Sequence, residues 1–317
     1  MTIENKTIGV LMGGFSSERE ISLKSGTAVC RALKNLYAKI LVFDFKTEQE
    51  LVAKLKKSKV DCMFNALHGR FGEDGQVQKI LDDLNIVYTG SGSAACALAM
   101  NKVAAQQVFK QQGLIVPEYQ VFNKHSVQSQ GFYADFPLVV KPAMEGSSIG
   151  LSIVDDPQEL FLALKQALLL DQDILIEKYI SGREITIGIL EDKPLPIIEV
   201  VPKNKFYDFQ AKYTVGMTEY RVPAQFPRDI IEQVQGLAIK AHKALGCRCF
   251  SRVDMIIDSR NNPYILEVNA IPGLTETSLL PKAARAVGIE FADLCQIMIR
   301  SAEQAKIKDQ EMFLVNE

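Results

Sequence analysis

Residues 252–269 read RVDMIIDSRNNPYILEVN, two apolar-rich runs joined by the polar turn Ser259-Arg260-Asn261-Asn262. A run, a turn and a second run predict a β-hairpin. Centring the turn between Arg260 and Asn261 sets Asp254 opposite Glu267 and Arg252 opposite Asn269. Strand side chains alternate, so these four share one face. Val253, Met255, Ile257, Tyr264, Leu266 and Val268 then make the other face, expected to be core. Two carboxylates directly across a ladder repel and destabilise a sheet. A divalent cation between them removes that cost, and carboxylates with an Asn carbonyl are hard oxygen donors suited to Mg²⁺ shared with substrate phosphates. The plainer reading is a solvated polar face on which Arg252 neutralises Asp254. A one-residue slip in register weakens the metal reading.

Outward from the hairpin, Asp229–Leu245 has helical periodicity and is stopped by Gly246, and two further helices are expected after Asn269. Leu195–Val201 reads as a strand, and Ile174–Tyr179 and Glu184–Leu190 read as strands flanking Ser181-Gly182. Pro137–Lys141 and Leu151–Val154 are strands joined by the loop AMEGSSIG. A helix to about Leu170 follows, with Asp156 as N-cap, Pro157 at its first position and Glu159 completing a capping box. Residues 93–112 read as one long helix stopped by Gly113 and Pro117. Before it, Thr7–Met12, Ile40–Phe45, Val60–Leu67 and Ile86–Thr89 are apolar strands separated by amphipathic stretches, the pattern of βαβ units with a parallel sheet. The chain is expected to be α/β. Boundaries near 93 and 182 divide it into 1–93, 94–182 and 183–317.

Three other segments have chemical potential. In Glu145-Gly146-Ser147-Ser148-Ile149-Gly150, two glycines and two hydroxyls make a loop whose backbone N–H groups can wrap phosphate oxygens, with Lys141 beside it as a point charge. A turn that only redirects the chain is the alternative. In Gly13–Glu20 (GGFSSERE), Ser17 with Glu20 is a capping box, and Glu18 at a helix start would recruit a cation such as an amine. Neither the dinucleotide glycine fingerprint nor the P-loop pattern is present. His68–Gly75 (HGRFGEDG) has three glycines that let backbone approach a ligand, and His68 could bond it, although a lone His at a strand end is more often structural. His125 and His242 have no such context.

Composition narrows the class. The 317 residues hold 36 Lys and Arg against 38 Asp and Glu, a net charge of -2, so the basic excess of a nucleic-acid or anionic-membrane binder is missing. Six scattered cysteines include no C-x-x-C pair, which argues against zinc and for reduced thiols. No run of 18 apolar residues suggests a membrane span, and Met1–Lys6 is too short and polar for a signal segment. A cytoplasmic location is expected.

Eight segments then combine: GGFSSERE with SLKSG (13–26), ALHGRFGEDG (66–75), YTGSG (88–92), KPAMEGSSIG (141–150), IEKYISGREIT (176–186), FYDFQAKY (206–213), RVDMIIDS (252–259) and LEVNAIPGLTETSL (266–279). In this order they resemble the D-alanine–D-alanine ligase family of the ATP-grasp superfamily, over about Thr7 to Ile299. The resemblance implies a Rossmann-like N-terminal domain and a two-lobed ATP-grasp fold, with ATP between two antiparallel sheets. By family match, Lys102, Lys141, Glu145, Gly146, Ser147, Ser148, Glu177, Lys178, Tyr179, Ile180, Glu184 and Lys212 would bind ATP. Asp254, Glu267 and Asn269 match the ligands of two Mg²⁺ (or Mn²⁺), agreeing with the register argument.

The implied reaction joins two D-alanine molecules through a D-alanyl phosphate, supplying a cell-wall precursor. Glu18 matches the group binding the first ammonium, with His68 nearby. Arg252 and the Gly273 N–H match the oxyanion site, and Ser278 and Leu279 the second D-alanine carboxylate. Ser147, Tyr213 and Glu18 match a hydrogen-bonded set that closes a loop over the site. Tyr213 favours an amine as second nucleophile, because relatives that use D-lactate have a different loop; D-alanine–D-lactate and D-alanine–D-serine ligation are the variants kept open. A homodimer is implied by the family alone. Two departures stand out: Ala270 where Thr is usual, and Cys249 in a usually Gly-rich run. A Rossmann oxidoreductase, with Asp44 ending its second strand, and a non-catalytic ATP sensor are the competing classes.

Overall fold

The structure, a computed structural model, describes residues 5–123, 135–203 and 216–315. Three short runs form the first sheet: β1 (Thr7–Gly13), β2 (Lys39–Phe45) and β3 (Cys62–Asn65), all parallel in the order β2-β1-β3. The strand expected at Ile86–Thr89 shrinks to a single bridge between Met63 and Tyr88.

The second sheet holds β4 (Tyr119–Asn123), β5 (Leu138–Pro142), β6 (Ser152–Val154) and β7 (Asp173–Lys178), antiparallel in the order β4-β7-β5-β6. The third holds β8 (Gly182–Leu190), β9 (Lys193–Pro194), β10 (Ile198–Pro202), β11 (Thr218–Arg221), β12 (Phe250–Asp258) and β13 (Pro263–Asn269). Its order is β11-β10-β8-β12-β13, with β9 on β8, and every pairing is antiparallel. The strand expected over Leu195–Val201 begins later, as β10 from Ile198, while β9 precedes the expected range.

Helix caps follow local chemistry in most places. The Asp156 carboxylate accepts from the N–H groups of Gln158 and Glu159 at 2.8 and 2.9 Å, and the helix runs Pro157–Ala167, shorter than the expected end near Leu170. Glu159 reaches back to the Asp155 N–H, one residue before the cap. The capping box expected at Ser17 and Glu20 does not form. The first helix, Arg19–Leu33, has Glu18 at its N-cap, because Ser16 turns in to accept from the Glu18 N–H. The long helix expected over 93–112 is two, Ser93–Met100 and Lys102–Gln111. Asn101 leaves the helical region and caps the second with its side chain on the Ala104 N–H.

Burial assembles these pieces out of chain order. The C-terminal helix Phe291–Val315 packs Leu294, Cys295, Met298 and Ile299 with Val29, Leu33 and Phe64 of the first unit and Phe250 of the third sheet. Helices Ser93–Met100, Lys102–Gln111 and Arg228–Ala244 share a core with the third sheet, although two of them precede the second sheet in the chain. The second sheet buries Leu138, Val140, Ile174 and Ile176 under the helix Pro157–Ala167. Each fully buried Leu or Ile contributes about 1.5–3 kcal/mol.

Candidate active site

The second and third sheets face each other across a cleft of about 470 Å³. Thirteen of the expected residues line it: Lys102, Lys141, Glu145, Gly146, Ser147, Ser148, Glu177, Lys178, Tyr179, Ile180, Glu184, Asp254 and Glu267. Lys212 and Tyr213 lie outside the described residues.

Its floor is a buried ion pair. β5 and β7 pair Val139 with Glu177, so Lys141, two residues on, sits diagonally across the ladder. Lys141 Nζ is 2.8 Å from Glu177 Oε2, and both residues are buried. Burying two charges is tolerable only with such close pairing and further hydrogen bonds. Glu177 opens the linker to β8, where the Lys178 and Tyr179 N–H groups bond to Glu118 and Pro137 carbonyls at 2.8 and 3.2 Å.

Asn101 sets the next residue. The break places Lys102 at the first position of its helix, where Nζ donates to the Glu145 carbonyl at 2.6 Å and lies 3.6 Å from Glu267. Two lysines thus reach the cleft from a helix and a strand.

The loop 145–150 lies over one end. Ser147, Ser148 and Gly150 have φ of 52, 58 and 73°, so successive backbone groups turn in the left-handed region. Two contacts tie the loop to the N-terminal unit: Arg70 is 2.8 Å from Glu145, and the Ser147 hydroxyl donates to the Glu18 carboxylate. Gly69 and Gly146 make room for that carboxylate; a Cβ would meet Glu18 Oε2 at 2.7 Å from the first and 3.3 Å from the second.

The hairpin has the expected register at the site: Arg252 faces Asn269 and Asp254 faces Glu267. The expected core face fails beyond that point. A bulge after Asp254 leaves Leu266 without a partner and pairs Met255 with Ile265. Ile265 is therefore buried, whereas Leu266 turns to the cleft and Tyr264 is half-buried. Asp254 accepts from Arg252 Nε and Nη2 at 2.9 and 2.8 Å, from Thr186 at 2.5 Å and from Asn269 Nδ2 at 3.0 Å. The neutralising Arg252–Asp254 pair, offered as the plainer reading, is thus present. Among the described residues no three His, Cys, Asp or Glu side chains cluster. Two carboxylates and an amide fit Mg²⁺, which usually takes one or two carboxylates and completes its shell with waters and phosphate oxygens.

The other expected residues lie outside the cleft lining. Glu18 is buried on the N-terminal unit. His68 is buried too, its ring nitrogens 2.9 Å from Ser25 Oγ and Glu73 Oε1. Ser278 heads the helix Leu279–Arg285; its hydroxyl accepts from the Thr275 N–H at 3.0 Å, and a Cβ on Gly273 would meet it at 3.1 Å. Cys249 has φ +63°, which explains why glycine suits that run. Burial pushes its thiol up to about 11.

Sequence reasoning missed Arg183, Glu199, Ile256 and Leu266 in the lining. Ile256 was legible, since it follows Asp254 by two residues in one strand. Glu199 had no local signal: Arg183, sixteen residues away, holds its carboxyl below the usual range, with bonds of 2.6 and 2.8 Å. Asp44, the residue an oxidoreductase reading requires for a ribose, gives both oxygens to Arg19 at 2.8 Å.

Two family models match parts of the chain, "D-ala D-ala ligase N-terminus" at residues 44–91 and "D-ala D-ala ligase C-terminus" at 108–300. The chain belongs to the D-alanine–D-alanine ligase family. It is 47% identical over 303 residues to the D-alanine–D-alanine ligase of Geotalea uraniireducens, covering 95% of this chain and 96% of that one. With the ligase of Syntrophotalea carbinolica it shares 46% identity over 304 residues, covering 96% and 98%. Among solved structures, the Bacillus anthracis D-alanine–D-alanine ligase complexed with ATP aligns at TM-score 0.85 and 34% identity, covering 96% and 99%. A D-Ala:D-Ser ligase from Enterococcus faecalis aligns at TM-score 0.80 and 27% identity, covering 94% and 100%. Membership in this ligase family agrees with the α/β core and the paired antiparallel sheets. No helix among the described residues is long and apolar enough to cross a membrane.

Proposed function

We propose that this chain condenses two D-alanine molecules to D-alanyl-D-alanine while ATP is cleaved to ADP and phosphate, supplying a peptidoglycan precursor. The observation that supports it most is the cleft itself: Lys102 and Lys141 face Asp254 and Glu267 in a chain alike over its length to D-alanine–D-alanine ligases. ATP lies with its base at the linker 177–180 and its phosphates toward Lys102, Lys141 and the loop 145–150. Glu184, which lines the same cleft, belongs to the ATP-binding set, and Lys212 adds a charge at the phosphates. Asp254, Glu267 and Asn269 would hold two Mg²⁺ (or Mn²⁺), which when bound offset phosphate charge and orient the terminal phosphoryl group.

The first D-alanine is held by its ammonium on Glu18, beside His68. Its carboxylate attacks the terminal phosphorus, giving an acyl phosphate and ADP. The amine of the second D-alanine, held through its carboxylate at Ser278 and Leu279, attacks the acyl carbon. Arg252 and the Gly273 N–H stabilise the tetrahedral oxyanion, and phosphate leaves. No side-chain nucleophile is needed, so catalysis is positioning plus charge stabilisation. The contact of Ser147 with Glu18, completed by Tyr213, closes the loop and keeps water from the acyl phosphate. The cytoplasmic location and the homodimer belong to the same reading.

The test is incubation with ATP, Mg²⁺ and D-alanine, following phosphate release and product mass. D-Alanyl-D-alanine is expected with one phosphate per dipeptide. Absence of dipeptide at millimolar D-alanine overturns the reading. Parallel reactions with D-serine or D-lactate, prompted by the D-Ala:D-Ser ligase neighbour, separate the variants by product mass.

A further inference from the structure

Lys102 and Gln106 stand four residues apart on the helix Lys102–Gln111, so both project from one face, about one 5.4 Å turn apart. Lys102 reaches the cleft, while Gln106, fully buried, donates its amide N–H to Glu177 Oε1. Lys141 takes the other oxygen, Oε2, at 2.8 Å. The Glu177 carboxylate is therefore gripped by two donors from opposite elements, a helix of the third-sheet core and a strand of the second sheet. The price falls on Gln106: its own carbonyl oxygen is buried with no hydrogen-bond partner among the described residues. An apolar side chain of similar length would fill the space without that penalty. What the amide supplies and an apolar group cannot is a donor aimed at Glu177. Reversing the amide would set its oxygen against the carboxylate, so the donor assignment follows from the chemistry.

We propose that Gln106 is a positioning residue for purine selection: with Lys141 it fixes the Glu177 carboxylate as an acceptor for the 6-amino group of adenine and against a 6-oxo purine. This rests on the reading that ATP places its base at residues 177–180. A carboxylate held by donors on both oxygens has a set plane, and its remaining lone pairs point where a ligand N–H can meet them. A 6-oxo group there opposes oxygen to oxygen. With one donor lost, the carboxylate turns about its last bonds and both effects weaken.

Gln106→Met preserves length and packing but removes the donor; Gln106→Lys restores a donor from the same position. In steady-state kinetics with ATP or inosine triphosphate, paired with calorimetric nucleotide binding, Gln106→Met is expected to raise the KM for ATP about tenfold and cut the ATP-over-ITP ratio of kcat/KM similarly. Its KM for D-alanine should stay close to the parent's, its unfolding temperature should fall because one oxygen of the buried Glu177 carboxylate loses its donor, and Gln106→Lys should recover most of the ATP preference. An unchanged ATP-over-ITP ratio in Gln106→Met overturns the proposal. So does equal loss toward both nucleotides without recovery in Gln106→Lys, which marks a packing role. Failure of the parent protein to bind ATP defeats the reading beneath the proposal instead, and is seen before any variant is made.

Discussion

The cleft holds two carboxylate sites that balance their charge differently. Glu177 is buried and neutralised from within, by Lys141 on one oxygen and Gln106 on the other. Asp254 and Glu267 lie on a more open face; Glu267 is 27% exposed, and its contact with Lys102 is 3.6 Å, longer than a hydrogen bond. The first site is completed from within the protein. In the second, Asp254 is paired with Arg252, while Glu267 beside Lys102 keeps part of its surface in solvent. Burial decides which is which, because an unpaired carboxylate is far costlier in a dry interior than at a wet surface.

The contrast can be broken by substitution. The largest effect should come from Glu267→Gln, which removes a proposed cation ligand while keeping shape; kcat should fall about 10³-fold or more, with the unfolding temperature little changed. Phosphate release and thermal melting measure both, and a near-normal rate removes Glu267 from the metal set. Lys141→Met should invert the pattern. It strands the buried Glu177 carboxylate, and denaturant unfolding should show a loss of about 3–5 kcal/mol alongside weaker ATP binding. If Lys141→Met costs no stability, the claim of an internally completed site fails.

Ser147→Ala touches neither carboxylate site and unties the loop from Glu18. We expect a several-fold lower kcat, in keeping with the roughly 1 kcal/mol of one hydrogen bond. Water entry should lift the phosphate-to-dipeptide ratio above one, and a ratio held at one argues against a sealing role. The smallest effect concerns Glu199 at the cleft rim, whose carboxyl is held low mainly by its bond from Arg183. Its stabilisation is present above the unfolded glutamate value of about 4.3 and is lost as pH falls through the lower folded value. Glu199→Gln should accordingly flatten the loss of stability as pH falls below about 4.3, and identical acid curves for the two proteins would falsify that assignment.

Much of this was legible in local sequence. Asp156, Pro157 and Gly246 mark helix ends because caps depend on neighbours within a few residues, and centring the turn between Arg260 and Asn261 gave the pairing of Asp254 with Glu267. The errors have the same physical origin. Asn101 was read as an interior helix residue because only the competition between its own cap and a continued helix reveals the break. Leu266 was assigned to the core because a bulge adds one residue to a ladder without changing composition. Glu199 and Gln106 left no mark, since their partners lie 16 and 71 residues away.

The sequence by itself determined the kinds of element, the order of the motifs and the chemistry they can perform. Those follow from periodicity, turn residues and charge at short range, where the covalent chain sets the geometry. Only the tertiary structure decided that a helix preceding the second sheet packs on the third, delivering Lys102 to the cleft and Gln106 to the Glu177 carboxylate. It likewise brought Ser147 to Glu18 across 129 residues. Such pairings depend on which apolar faces are buried together and which lone pairs remain to be satisfied, and neither can be counted before the chain has folded.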